Sequence, residues 1–121
     1  MSRWKSVRHA VDGLRWLLAS QVNARIHLVV TVAVLGTGFW LRVSARDWCW
    51  LVVAVTLVWT AEALNTAVEL LGDATSGGVP HPMVGKAKDV AAAGVLLAAM
   101  GAAVIGGIIL FPQLSDQFIR R

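Results

Sequence analysis

The chain has 121 residues, of which 57% are hydrophobic and 15% charged, and its formal net charge is +4. A soluble domain of this length would carry more charge, so residues 1–121 are expected to form one integral membrane domain. Apolar stretches that run without strand-like alternation favour an all-α protein over a barrel. The single cysteine excludes an intrachain disulfide. Because the basic residues flank apolar segments, the expected partners are anionic membrane lipids, not nucleic acid.

Residues 2–22 are predicted to form an amphipathic surface helix. Apolar side chains recur there at helical spacing, and most of the basic side chains lie off that stripe. The apolar stripe comprises Trp4, Val7, Val11, Leu14 and Leu18. This pattern is typical of a helix lying in the membrane interface, although a helix docked on its neighbours in a bundle would also show it.

Three apolar segments, at about 26–43, 48–72 and 88–111, have the length needed to cross roughly 30 Å of hydrocarbon. Residues 73–82, which are dense in glycine and proline, are predicted to form a loop, and Pro112 is expected to end the third span. His27, at the head of the first span, is interpreted as a headgroup contact.

The distribution of Lys and Arg predicts the orientation of these spans. Five lie in the N-terminal segment and two in the loop and early third helix, whereas the opposite side carries four. The positive-inside rule therefore places the N-terminus and the 73–89 segment in the cytoplasm.

Four polar residues in the second span form the most informative pattern in the chain. Glu62, Asn65, Glu69 and Asp73 stand at i, i+3, i+7 and i+11. On an α-helix they share one face about 80° wide and about 16 Å long. Ionisable residues at this depth in a membrane segment predict a functional site.

The residue types on this face suit phosphoryl transfer to a lipid alcohol. Glu69 and Asp73 could hold Mg²⁺ together with substrate phosphates, which Lys86 and Lys88 could neutralise. Glu62, the deepest carboxylate, could take a proton from a lipid hydroxyl, and Asn65 could orient it.

From the pattern alone, two other interpretations stay open. Intramembrane carboxylates also line proton or cation pathways, and they also clamp helices together in an oligomer. The sequence contains no phosphate-binding loop of the Gly-x-x-x-x-Gly-Lys-Ser/Thr type, so a usual nucleotide-binding fold is excluded.

Two motifs at a fixed separation resemble the bacterial diacylglycerol kinase family, which includes undecaprenol kinases. The first is Glu62-x-x-Asn65-Thr-Ala-x-Glu69-x-x-x-Asp73, and the second is Lys86-Ala-Lys88-Asp89 followed by alanines. Gly13-Leu14-Arg15 and Asn23-x-Arg25-Ile26-His27 are also similar to the family, so the resemblance covers nearly the whole chain.

The resemblance implies a surface helix plus three transmembrane helices, assembled as a homotrimer in the bacterial cytoplasmic membrane, with ATP and Mg²⁺ as cofactors. It implies that Glu62 and Asn65 are catalytic and that Glu69 binds the metal. The residues that it implies for the nucleotide site are Asp73, His81, Gly85, Lys88 and Asp89.

The chain departs from the family pattern in the surface helix, where a glutamate shares the metal with the residue matching Glu69. Gln21 stands at that position and keeps an oxygen ligand but not a negative charge. The loop also lacks an acidic residue usual shortly before His81. The function expected from the resemblance is an ATP-dependent lipid kinase acting on undecaprenol or diacylglycerol. The alternative is a catalytically weakened relative that serves as a membrane scaffold or lipid-binding trimer.

Overall fold

The protein, as a computed structural model that describes residues 2–121, folds into four α-helices. They are α1 (Arg3–Ser20), α2 (Val22–Leu41), α3 (Ala45–Ser76) and α4 (Pro82–Ile119). Helices α2, α3 and α4 are long and apolar enough to cross a membrane, with mean hydropathies of 1.6, 1.6 and 2.4 over their most apolar windows. The prediction of an all-helical chain with three such helices is confirmed.

Local chemistry sets the turn between α3 and α4. Gly77 ends α3 with φ 62°, and its N–H donates to the carbonyl of Asp73. Pro82 starts α4, and the His81 side chain accepts a hydrogen bond from the Met83 amide at 3.2 Å. The connecting segment is therefore 77–81, and the predicted loop over 73–82 is wrong at both ends. The helix ends at a glycine, which adopts a left-handed backbone easily, and proline suits the first position of the next helix.

A single residue, Gln21, separates α1 from α2. Its extended backbone (φ −108°, ψ 121°) breaks the helix there. The Arg25 guanidinium folds back and donates to the carbonyls of Leu18 and Ala19, both at 3.1 Å. A cation at a helix C-terminus satisfies carbonyls that have no partner in the helix and offsets the helix dipole. Arg25 therefore stabilises the end of α1 and fixes the corner between α1 and α2.

Helices α3 and α4 pack antiparallel. An ion pair between Asp73 and Lys88 joins them at the end near the connecting turn. At the opposite end the Gln113 side chain donates to Asp47 at 3.5 Å. These two contacts pair residues whose numbers sum to nearly the same value, as expected of one antiparallel register.

The apolar core lies at the end of the bundle away from that turn. Val43, Leu51, Ile109 and Leu110 are buried together there. Trp48 packs partly buried against this cluster and tilts over Phe39 at a centroid distance of 4.7 Å. Residues from α2, α3 and α4 thus meet at one end, which leaves the other end free for polar side chains.

Helix α4 continues through Pro112 to Ile119, so the expectation that this proline ends the helical segment is wrong. A proline inside a helix removes one backbone hydrogen bond and costs about 3 kcal/mol. Two contacts offset this cost on the following turn: Leu114 packs against the core, and Gln113 donates to the Ile109 carbonyl at 2.8 Å.

Much of the apolar surface of the isolated chain is exposed. On α2 and α4 the exposed side chains include Val29, Phe39, Leu97, Ile108 and Phe111, each at least 68% accessible. Helix α1 likewise exposes Trp4 and most of its predicted stripe. Large contiguous apolar surfaces on a folded chain face lipid or another subunit.

Gly38 gives a direct test of the core contact between α2 and α3. A Cβ atom at Gly38 would lie 2.9 Å from Cη2 of Trp48, whereas one at Gly36 would meet nothing within 4 Å. We expect Gly38→Ala to lower the free energy of unfolding in detergent by about 1–3 kcal/mol, as overpacking does. The matched control Gly36→Ala should leave it unchanged or raise it by up to about 1 kcal/mol, because alanine favours helix. Equal effects of the two changes in thermal unfolding would contradict this packing.

Candidate functional site

Glu62 is the most deeply buried ionisable side chain among the described residues, with a relative accessibility of 1%. It lies on α3 where α2 passes, and its Oε2 atom is 3.4 Å from Nε2 of His27. That contact is within ion-pair distance but lacks hydrogen-bond geometry, and Oε2 has no other partner among residues 2–121. A buried carboxylate oxygen without a hydrogen bond costs free energy, so this arrangement serves something other than folding.

Asn65 lies one turn farther along α3 on the same face and is 6% accessible. Its Nδ2 atom donates to Oε1 of Glu69 at 3.4 Å, while its Oδ1 atom is buried without a partner. Glu69 is half-buried and Asp73 exposed. The predicted polar face therefore runs from the bundle interior at Glu62 to the surface at Asp73.

Glu62 and Asn65 line a cavity of about 300 Å³ between α2, α3 and α4. Helix α2 contributes His27, Ile26 and Asn23 to its wall. The α4 residues of the wall are Ala92, Val95, Leu96 and Ala99. Polar groups thus converge on one side of the cavity, and the opposite side is apolar. That is the arrangement needed to hold the hydroxyl end of a molecule whose remainder is apolar.

A second group of predicted residues gathers at the turn between α3 and α4. Lys88 forms its ion pair with Asp73, and His81 and Gly85 line the same cavity of about 300 Å³. Gly72 permits this approach, because a Cβ atom there would lie 3.2 Å from Cε of Lys88 and 2.8 Å from Cγ1 of Val84. An ammonium group beside a glycine-rich turn suits a phosphate, which takes hydrogen bonds from cations and backbone N–H groups.

The structure does not bring every predicted site residue into these two cavities. Asp89 is exposed on α4 and lines neither of them. Gln21, at the corner between α1 and α2, donates to Ser20 Oγ at 3.3 Å. The antiparallel register that sets His27 against Glu62 places Gln21 level with Glu69, two turns away along the bundle.

His27 does not lie where its position at the head of the first apolar segment predicts, at the lipid headgroups. Its side chain is 17% accessible and lies against Glu62 inside the bundle. Its ring also packs edge-on against Trp59, with centroids 6.4 Å apart. The sequence did carry a signal for this, since a titratable residue at the head of an apolar segment and a carboxylate in the next segment are natural partners.

The donors at this site fit a magnesium ion shared with substrate phosphates better than a metal held by protein alone. Residues 2–121 contain no group of three His, Cys, Asp or Glu side chains that could hold a metal. Mg²⁺ is usually bound through one or two carboxylates and completes its shell with water and phosphate oxygens. Glu69 supplies one carboxylate, and the unpartnered Asn65 Oδ1 beside it is a further hard oxygen.

Comparison with known proteins points to one family. The profile of the prokaryotic diacylglycerol kinase family matches residues 8–110. The chain is 40% identical to a diacylglycerol kinase of Synechocystis over 114 residues, which are 94% of this chain and 65% of that relative. It is 32% identical to the undecaprenol kinase of Bacillus subtilis over 111 residues, 92% of this chain and 89% of the relative. It is 31% identical to the diacylglycerol kinase of Escherichia coli over 107 residues, 88% and 87% of the two chains.

The burial of Glu62 predicts that this side chain lowers the stability of the protein. We expect Glu62→Met, which keeps the length of the side chain and removes its unpartnered oxygen, to raise the free energy of unfolding by about 1–3 kcal/mol. Glu69→Met is the matched control, and because Glu69 is only half-buried its effect should be smaller. Denaturant unfolding in detergent measures both; a Glu62→Met protein that is less stable than the unmutated protein would contradict the argument.

Proposed function

The chain belongs to the prokaryotic diacylglycerol kinase family, a family of lipid kinases, and we propose that it transfers the γ-phosphate of ATP to the hydroxyl of a membrane lipid alcohol. The acceptor is undecaprenol or diacylglycerol, the two lipids named among its relatives. The observation that carries the proposal is the buried carboxylate of Glu62 in a cavity that is polar on one side and apolar on the other.

In this proposal Glu62 is the catalytic base. The acceptor hydroxyl enters the cavity between α2, α3 and α4 and gives its proton to Glu62 as its oxygen attacks the γ-phosphorus. Asn65, one turn away, orients the carboxylate or a phosphate oxygen with its amide. Positioning of this kind, together with neutralisation of charge, accounts for most of the catalysis in phosphoryl transfer.

The turn between α3 and α4 holds the nucleotide. Lys88 offers its ammonium group to phosphate oxygens, and its present partner Asp73 keeps it in place until they arrive. His81 and Gly85 form the remainder of that wall. Asp89, exposed one residue beyond Lys88, is proposed to contact the nucleotide from outside the cavity.

Glu69 and Gln21, which lie at the same level of the bundle, would hold Mg²⁺ between the Glu62 cavity and the turn that joins α3 to α4. Bound there, the ion would neutralise charge on the phosphate oxygens. Glu69 lies between Glu62 and Asp73 on the same face of α3, about 10 Å along the helix from the first and about 6 Å from the second. The metal is therefore proposed to lie on the line that a triphosphate would follow toward the acceptor.

The membrane setting is part of the same proposal. The Lys and Arg distribution supports a cytoplasmic N-terminus in the bacterial inner membrane, with α1 on the anionic membrane surface. The family resemblance implies a homotrimer, and the exposed apolar faces of α2 and α4 offer surfaces for lipid or for the other subunits. Native mass spectrometry of the detergent-solubilised protein reads the subunit number, and thiol labelling of single-cysteine variants in intact cells reads the orientation.

A phosphorylation assay tests the proposed activity. Purified protein in mixed micelles, with ATP, excess Mg²⁺ and either undecaprenol or diacylglycerol, should form the lipid phosphate. We expect Glu62→Gln to lower kcat by about 10²–10⁴-fold, the usual contribution of a general base. Glu62→Gln should keep the fold, because glutamine preserves the size of the side chain. Phosphorylation of neither lipid by the unmutated protein would refute the kinase.

The second candidate function, a weakened relative that binds lipid without efficient catalysis, is motivated by Gln21. If the missing negative charge limits metal binding, Gln21→Glu should lower the Mn²⁺ concentration needed for half-saturation, measured by electron paramagnetic resonance, by roughly 10-fold or more. It should raise a weak kinase activity in parallel. Gln117→Glu, at an exposed position near the end of α4, is the matched control. High activity of the unmutated protein would exclude this second function.

A further inference from the structure

We propose that His27 is a positioning residue for Glu62: its imidazole N–H holds one carboxylate oxygen so that the other faces the acceptor hydroxyl. This inference rests on the proposed function, and it assigns to the reaction a residue outside the polar face of α3. The observation behind it is the 3.4 Å contact between His27 Nε2 and Glu62 Oε2, with side-chain accessibilities of 17% and 1%.

The chemistry of the two groups determines which of them donates the hydrogen bond. An ionised carboxylate only accepts hydrogen bonds, so the nitrogen facing it must carry the proton. The contact lacks the alignment of a hydrogen bond, and Oε2 has no hydrogen-bond partner among residues 2–121. Catalytic hydrogen bonds are often long before substrate binds and tighten in the substrate complex. A small rotation of the His27 ring satisfies Oε2 and leaves Oε1 for the substrate.

Neighbouring side chains hold His27 in place. The Thr31 hydroxyl donates to the His27 carbonyl at 2.6 Å and accepts from Nε1 of Trp59 at 2.9 Å. The Trp59 ring also packs edge-on against the imidazole, with an interplanar angle of 63°. Because Trp59 and Glu62 are three residues apart on α3, this hydrogen bond between α2 and α3 fixes the register that brings His27 to Glu62.

His27 differs from the other groups around the cavity in its charge. Among the described residues that line it, His27 is the one side chain able to bear a positive charge. Asn23 and Asn65 are neutral, and α4 contributes only alanine, valine and leucine. A carboxylate buried at this depth is stabilised most by an opposite charge or a strong donor at short range.

In the proposed step one proton moves to Glu62 and one phosphoryl group moves to the acceptor. The proton of the acceptor hydroxyl moves to Oε1 of Glu62 while the acceptor oxygen forms a bond to the γ-phosphorus. The bond from that phosphorus to the β–γ bridging oxygen breaks, and ADP leaves with its electron pair. The hydrogen bond from His27 to Oε2 persists throughout, so His27 orients the base and does not itself take the proton.

Kinetics distinguish positioning from packing. We expect His27→Leu to lower kcat about 10- to 100-fold, as loss of a residue that orients a catalytic group does, with the KM for ATP changed by less than about twofold. His27→Gln, whose amide N–H can reach the same oxygen, should recover a large part of kcat. His9→Leu, at an exposed histidine on α1, is the control and should match the unmutated protein. Equal losses in His27→Leu and His27→Gln, or none in either, would overturn the proposal.

A measurement without turnover separates this inference from the kinase itself. In ¹⁵N-histidine spectra of the detergent-solubilised protein, the Nε2–H proton of His27 should give a signal protected from exchange with water. Glu62→Leu should abolish that signal, and Glu69→Leu, which removes a carboxylate two turns away, should keep it. A signal that is absent from the unmutated protein, or that survives Glu62→Leu, would refute the pair even if the protein is an active kinase. Only the lipid phosphorylation assay tests whether the protein is a kinase.

Discussion

The burial of one carboxylate, Glu62, is the constraint on which the rest of the site depends. Moving a carboxylate out of water costs several kcal/mol unless donors or an opposite charge surround it. Among the described residues that line the cavity, His27 is the one side chain able to bear an opposite charge, and it lies 3.4 Å from Glu62. Helix α2 must therefore keep its register against α3, and the hydrogen bonds through Thr31 provide that register. The chemistry of one side chain thus explains why two helices are locked at this level.

The apolar core and the polar cavities lie at different levels along the bundle. Val43, Leu51, Ile109 and Leu110 form a dry core at one end, where α2, α3 and α4 converge. The polar cavities lie toward the other end and near the turn at 77–81. An apolar core tolerates no unpaired polar groups, whereas a site requires groups that stay available to a ligand. Placing the two apart along long helices satisfies both requirements in a small chain.

Helical geometry made part of this site predictable from the sequence, whereas the rest depends on how the helices pack. The spacing of Glu62, Asn65 and Glu69 placed them on one face, because that depends only on positions within one helix. The partnership of His27 with Glu62 depends on the register between two helices, which a single sequence does not encode locally. The passage of α4 through Pro112 was missed for a similar reason, because packing after the proline overrides the local preference for a break.

Three polar atoms on one stretch of α3 argue that this segment was shaped by function. Oε2 of Glu62, Oδ1 of Asn65 and Oγ1 of Thr66 are buried without partners, and they lie within five consecutive residues. Folded proteins leave few such atoms, and each costs about 1–3 kcal/mol. Alanine or leucine at these positions would suit a membrane helix better, so the stability forgone here is consistent with groups held ready for a ligand. Glu62 and Asn65 face the cavity of α2 and α4, while Thr66 lines a separate one beneath α1. The unsatisfied groups therefore surround α3 at a single level, and this level is where its chemistry is expected.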